Sequence, residues 1–261
     1  MVKLDYFDRI SPLGISVRGV GRIHSPYLKD IARIGYKQYQ YFLTLLLATP
    51  EQCCTEYSKE HRVDNLWEHL SPEQKSALTM FDLLTSSEAQ IEEFISGLSL
   101  YVSGKLEWDE NSHAILINKT RQENGKFLVD GLINRETYQI VRDVCLQFAD
   151  ISTDEIPEEA PKFKTEKDRL FWEKFQKKKK THSKNSKADP NYELSNMISL
   201  LCTFHPSLNY SNIFQLTIGQ IRDSFSQLIR QRQFDLGGLN YAVWGGKFDP
   251  MQWIERIDTN N

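Results

Sequence analysis

The sequence has few cysteines, few glycines and no long apolar run. Its 261 residues contain four cysteines and no Cys-x-x-Cys pair, and no Cys/His group has the spacing of a zinc site. We therefore interpret Cys53, Cys54, Cys145 and Cys202 as reduced thiols and expect no bound metal. The 13 glycines and 9 prolines exclude a collagen-like or wholly disordered chain. The longest apolar stretch, residues 41–48, falls far short of the roughly 20 residues that cross a bilayer, so no membrane span is expected.

Motifs of enzyme active sites are also missing. The sequence has no Gly-x-Ser-x-Gly nucleophile elbow and no Gly-Lys-Ser/Thr phosphate loop, and no two of its six histidines have the i, i+4 spacing of a helical zinc site. Gly19-Val-Gly21 lacks the third glycine of a dinucleotide loop and is interpreted as a hairpin turn. We therefore expect a protein that is not an enzyme and that holds no cofactor.

What the chain does have is a globular composition interrupted by one basic segment. Hydrophobic residues make up 40% of the chain, aromatic residues 11% and charged residues 26%, which is enough to form a core. Residues 162–187 hold eleven Lys/Arg and three acidic residues, a net charge of +8. Because the whole chain has a net charge of −3, the remaining residues carry a net charge of −11. The sequence therefore predicts an N-terminal domain over residues 1–156, a basic linker with a short helix over 157–190, and a C-terminal domain over 191–261.

The N-terminal domain is predicted to be α+β and mainly helical. Alternation around Gly19 predicts a β-hairpin over residues 15–24, and Ser25-Pro26 predicts a helix start, with that helix running to about Ala48. Ser71-Pro-Glu-Gln74 predicts a second helix that carries Leu78, Phe81 and Leu84.

The rest of that domain is predicted from capping residues and a change of period. Ser87 predicts a third helix with Ile91, Phe94, Leu98 and Tyr101 on one stripe. Residues 105–108, 114–117 and 126–129 are predicted to form a meander of three short strands, followed by a helix that Asn134 caps.

The C-terminal domain is predicted to be small and all-helical. Asp189-Pro190 starts a helix with Leu194, Met197, Ile198 and Leu201, and Thr217 with Gln220 forms a capping box for the next. Residues 237–244 are predicted to form a short separate helix closed by Gly245-Gly246, and Asp249-Pro250 is predicted to start the last one.

Two features leave alternatives open. The lysines Lys177, Lys178, Lys179 and Lys180 can contact phosphates, but residues 177–187 lack the aromatic and arginine side chains of base recognition. A solvated linker is therefore favoured, sequence-specific nucleic-acid binding is not expected, and the underlying codons can hold a frameshift site. The C-terminal domain is dense in aromatic residues, which form either its core or a groove for a partner protein.

The C-terminal residues resemble a phage family. The run Asn212-Ile-Phe-Gln-Leu-Thr-Ile-Gly-Gln-Ile-Arg-Asp-Ser-Phe225, with Tyr241-Ala-Val-Trp-Gly245 and Asp249-x-x-x-Trp253, is similar to the T-like segment of tail assembly chaperones of long-tailed bacteriophages. This resemblance covers residues 190–258. Phe81-Asp-Leu-Leu84 and Asn134-Arg-Glu-x-Tyr138 are similar to the G-like domain of the same chaperones.

The resemblance implies a role in virion assembly without catalysis. Such a chaperone coats the tape measure protein and recruits tail tube subunits through its T-like part, in the host cytoplasm. Self-association is a further expectation. It is often made by a programmed frameshift, and the basic linker lies where that junction would fall. The alternatives are a structural tail or baseplate component that stays in the virion and a nucleic-acid accessory protein that uses the lysine run. The residues predicted to line the partner groove are Phe214, Leu216, Ile218, Phe225, Trp244 and Trp253.

Overall fold

The protein is mainly helical with small antiparallel sheets, which confirms the predicted α+β class. A computed structural model describes residues 2–122, 127–151 and 193–251. The chain divides into two compact units, the first being Met1–Thr153 with Gln215–Gly219 and the second Asp154–Phe214 with Gln220–Asn261. The five residues Gln215–Gly219 therefore group with the N-terminal unit, although the sequence suggested a continuous C-terminal domain.

Helices provide most of the N-terminal unit, and many of them are short. The described helices are α1 (Tyr6–Ile10), α2 (Leu28–Ile34), α3 (Tyr36–Leu47), α4 (Pro50–His61), α5 (Leu66–His69), α6 (Pro72–Ala77), α7 (Met80–Leu84), α8 (Glu88–Leu98) and α9 (Tyr138–Phe148). The described strands are β1 (Ile15–Val17), β2 (Gly21–Ile23), β3 (Leu106–Asp109), β4 (Ala114–Ile117), β5 (Thr120–Arg121), β6 (Phe127–Leu128) and β7 (Gly131–Ile133).

The strands form a hairpin, a three-stranded sheet and a two-stranded ribbon. β1 and β2 pair antiparallel with Ile15 opposite Ile23, which confirms the predicted hairpin. The larger sheet has the order β3-β4-β7, and β5 pairs only with β6. A strand is present within residues 126–129, at Phe127–Leu128, but its predicted place in the meander is wrong. Phe127 and Leu128 belong to the ribbon, and Gly131–Ile133 completes the sheet.

The core of the N-terminal unit is built from large side chains of α3, α8 and α9. Phe94 of α8 is fully buried, and its ring lies 6.3 Å from that of Phe42 and 5.9 Å, edge to face, from that of Tyr138. The Phe42 ring also lies 5.9 Å from that of Tyr101. Aromatic rings at these distances add a favourable contact to the burial of apolar area.

The helix predicted from Ser25 to Ala48 is interrupted at Gly35. Gly35 ends α2 and begins α3 with φ +96° and ψ 138°, a backbone conformation that costs glycine little and other residues more. The prediction of one helix was therefore wrong. The apolar stripe continues across Gly35, so the spacing of apolar residues does not reveal the break.

Capping boxes explain where several other helices begin. The predicted box of Ser71 and Gln74 is present at the start of α6. That helix ends at Ala77, and α7 begins separately with a box of Thr79 and Asp82. Phe81 and Leu84 therefore lie on α7, and the prediction of one helix over this region was wrong because a second N-cap follows so soon.

An ion pair reinforces the start of α7. An Arg135 guanidinium nitrogen lies 2.6 Å from Asp82 Oδ2, and the Thr79 amide donates to the same oxygen at 2.8 Å. Burial alone would raise the pKa of Asp82, but the hydrogen bonds from Arg135 and Thr79 outweigh burial and hold the pKa below its usual value.

This ion pair predicts a dependence of stability on pH. A carboxyl group with a lowered pKa stabilises the fold fully above its unfolded pKa of about 4, and this contribution is lost as the pH falls through the lower folded pKa. We expect the difference in melting temperature between wild type and Asp82→Asn to be larger at neutral pH than at about pH 3. Arg135→Gln should shift the same pH dependence toward that of the asparagine variant. A melting difference that is equal at both pH values would contradict this prediction.

The segment Gln215–Gly219 pairs with the chain just before α2. The Leu28 amide donates to the Leu216 carbonyl at 3.0 Å, and the Ile218 amide donates to the Pro26 carbonyl at 2.9 Å. The two hydrogen bonds flank an isolated antiparallel β-bridge. We call these five residues the inserted segment.

Gly219 ends the inserted segment in a crowded place. Its amide donates to the Ser25 hydroxyl at 3.1 Å, and a Cβ added to Gly219 would overlap the Arg9 carbonyl oxygen. Ser25 was predicted to cap the following helix, and that prediction was wrong. Ser25 is fully buried against the inserted segment, and α2 begins at Leu28 without a side-chain cap.

The described part of the second unit is helical. It contains α10 (Leu194–Phe204), a 3₁₀ turn at Ile213–Gln215 that reaches into the inserted segment, and most of α11 (Ile218–Trp244). Leu194–Phe204 confirms the first helix predicted for this region, although its predicted start at Asp189-Pro190 lies outside the described residues. The short helix predicted at residues 237–244 is wrong as a separate element, because α11 runs through both glycines without a break.

Candidate partner-binding surface

The residues predicted to line a partner groove differ widely in exposure. Ile218 and Phe225 are buried, whereas Phe214 and Leu216 are half-buried. Trp244 is 84% exposed at the last position of α11. Trp253 and the basic run Lys177, Lys178, Lys179 and Lys180 lie outside the described residues.

The exposed apolar residues of the second unit concentrate at the end of α11. Leu236, Leu239, Val243 and Trp244 are each at least 60% exposed. Their spacing of i, i+3, i+7 and i+8 places them on one face of a helix. We call these four residues the distal stripe.

The opposite face of the same helix is covered by the returning chain. The Phe248 ring lies 5.1 Å from that of Phe234 and 5.9 Å from that of Tyr241. Side chains added at Gly237 and Gly238 would meet the Phe248 ring at 3.6 Å and 3.4 Å. The two glycines thus provide a flat surface on which Phe248 rests.

The glycines after α11 produce this return. The Gly245 amide donates to the Tyr241 carbonyl at 2.9 Å, and Gly245 and Gly246 adopt φ values of +72° and +119°. Such values suit glycine at the end of a helix, and they confirm the predicted stop. The reversal brings Phe248 back over one face of α11 and leaves the distal stripe exposed.

Three residues of the distal stripe, Leu236, Leu239 and Val243, were missed by the sequence reasoning. Their helical spacing is visible in the sequence, but Gly237-Gly238 suggests a break in the helix and so separates Leu236 from the other two. Of the four residues, the sequence points only to Trp244, because it is a large aromatic residue next to a glycine pair.

Ionisable side chains lie within the core of the N-terminal unit. Burial raises the pKa of the Cys145 thiol and of the Tyr138 hydroxyl, so both stay neutral within the core. Within residues 2–122, 127–151 and 193–251, no group of three or more His, Cys, Asp or Glu side chains is placed to hold a metal ion. No helix in those same ranges has both the length and the apolar composition to cross a membrane.

The comparison with protein families gives a match in the C-terminal part of the chain. Searches of curated proteins and of solved structures gave no match. Residues 178–258 match the family model of the YomV second domain, a phage-associated family. The matched range contains all of α10, α11 and the distal stripe. This part of the chain is therefore similar to a phage-associated domain, which supports a phage origin for the protein.

Proposed function

We propose that the protein is a phage tail assembly chaperone that works by binding other proteins and has no catalytic role. The observation that carries the proposal is the distal stripe, four neighbouring apolar side chains left exposed on a helix whose other face is covered. Exposed apolar patches on globular proteins mark interaction sites. The stripe also lies inside the range that is similar to a phage-associated domain.

The proposed partner of the distal stripe is the tape measure protein. An extended tape measure protein exposes apolar faces until the tail tube encloses it. A helix with an uncovered apolar stripe can bind such faces by side-by-side packing. The resemblance of residues 212–225 to the T-like segment supports recruitment of tail tube subunits by the same part of the chain. The host cytoplasm is the proposed place of action.

The test is loss of tape measure binding in a variant that still folds. We expect Leu236→Ser with Trp244→Ser to reduce co-purification of the co-expressed tape measure protein at least about 30-fold, the equivalent of one interface hot spot of about 2 kcal/mol. The circular dichroism spectrum should stay unchanged because both side chains are exposed. The matched control is Phe7→Ser with Leu13→Ser, two exposed apolar residues of the N-terminal unit that should leave binding intact.

Two results would contradict the proposal. Equal losses in the stripe variant and in the control would show that general surface apolarity, and not the stripe, holds the tape measure protein. Stoichiometric retention of the chain in purified virions would favour the alternative of a structural tail component, since an assembly chaperone leaves before the particle is finished.

A further inference from the structure

The inserted segment is bound as a peptide would be bound. It pairs by backbone hydrogen bonds with residues 25–29, in the manner of a strand added to an exposed edge. One of its acceptors is the Leu216 carbonyl, which accepts a hydrogen bond from the amide of Leu28, the first residue of α2. Amides at the first turn of a helix have no acceptor inside the helix, so this position of the chain needs a partner from elsewhere. We call residues 25–29 the docking site.

The docking site selects for a particular sequence. Thr217 and Ile218 are buried, and Gly219 approaches the Arg9 carbonyl so closely that a side chain would overlap it. The Gly219 amide also satisfies the buried Ser25 hydroxyl. At the other end, Lys29 Nζ lies 3.5 Å from Gln215 Oε1. A segment must therefore carry glycine at its last position and residues that suit burial just before it.

The covalent connection does not dictate which chain provides the segment. Sixty-three residues, 152–214, separate Ile151 of the N-terminal unit from Gln215. Four hydrogen bonds are described between the segment and the N-terminal unit, and all four reach residues 25–29. The same four bonds form when the segment comes from another copy. Exchange of an identical element between copies is a low-cost route to a dimer, because it creates no new interface.

We propose that the docking site is an exchangeable peptide-binding site, and that a second copy of this chain supplies Gln215–Gly219 to it. Two copies then pair by reciprocal exchange of the inserted segment. This inference goes beyond tail assembly and does not depend on the proposed function, because it uses only residues of the N-terminal unit.

The test uses the full chain in two forms. Tagged and untagged copies are mixed, unfolded in urea and refolded together at high concentration, and the tagged copy is then captured. We expect the untagged copy to be recovered with it. Gly219→Ala in both copies should reduce this recovery at least tenfold, because the added Cβ meets the Arg9 carbonyl. The matched control is Gly237→Ala, in the same helix, where the added Cβ has room and recovery should equal that of wild type.

A second measurement covers the case in which Gly219→Ala fails to fold. Wild-type copies are refolded together with an excess of a synthetic peptide of residues 212–222. The peptide is expected to occupy the docking site and to reduce recovery of the untagged copy severalfold, whereas the same peptide with Gly219→Ala should have no effect. Three results would overturn the proposal: no recovery of untagged wild type, recovery from Gly219→Ala equal to that from wild type, or equal effects of the two peptides.

Discussion

Phe94→Ala is expected to destabilise the N-terminal unit by about 3–5 kcal/mol, the usual cost of deleting a buried phenylalanine ring. Phe94 is fully buried in α8, and its ring contacts lie on two other helices, at Phe42 and at Tyr138. The substitution removes apolar area from the core and leaves a cavity that rigid neighbours fill only in part. Urea denaturation followed by circular dichroism measures the loss.

The matched control for this experiment is Phe7→Ala. Phe7 is the same residue type but is 72% exposed, so its replacement should change the free energy of unfolding by no more than about 0.5 kcal/mol. A cost for Phe94→Ala as small as that for Phe7→Ala would mean that α8 does not form part of the core.

Glycine-to-alanine substitutions in two helices are expected to have opposite effects on stability. In a helix interior, alanine is favoured over glycine by about 0.5–1 kcal/mol. At Gly97 of α8 an added Cβ would overlap the Phe42 ring, and forced overpacking costs about 1–3 kcal/mol, so Gly97→Ala should destabilise. At Gly237 of α11 the added Cβ meets the Phe248 ring at an ordinary 3.6 Å, so Gly237→Ala should stabilise by up to about 1 kcal/mol.

Hydrogen exchange followed by mass spectrometry assigns each effect to its helix. Amides of α8 should exchange faster in Gly97→Ala, and amides of α11 should exchange more slowly in Gly237→Ala. Faster exchange of α11 in Gly237→Ala would show that Phe248 requires a bare backbone beneath it. Unchanged exchange of α8 in Gly97→Ala would show that the Phe42 ring moves aside without cost.

Local signals in the sequence predicted the fold where a few adjacent residues decide the outcome. Ser71 and Gln74 cap one another within a single turn, and the hairpin at Ile15 depends on one glycine-marked turn. The same capping signal at Thr49 and Gln52 starts α4, but that helix is polar and buries only Ser58, so no apolar stripe pointed to it.

Features that depend on distant residues were not predictable in the same way. Gly131–Ile133 is only three residues long and becomes a strand because β4 lies beside it. Gly237-Gly238 lies inside a helix because Phe248 folds back against it, and nothing within the local sequence signals that contact. For this reason the sequence indicates only part of the candidate site. Trp244 is recognisable by residue type, whereas the other residues of the distal stripe share one face only if the helix is unbroken.

The inserted segment also determines when the N-terminal unit is complete during synthesis. The ribosome makes residues 1–153 first, but the partners of the Leu28 amide and the Ser25 hydroxyl are residues 216 and 219. At about 5–20 residues per second, a nascent chain waits roughly 3–13 seconds between those points. Throughout that interval the docking site of the nascent N-terminal unit is empty. Chains further along the same polysome have already exposed their inserted segments nearby.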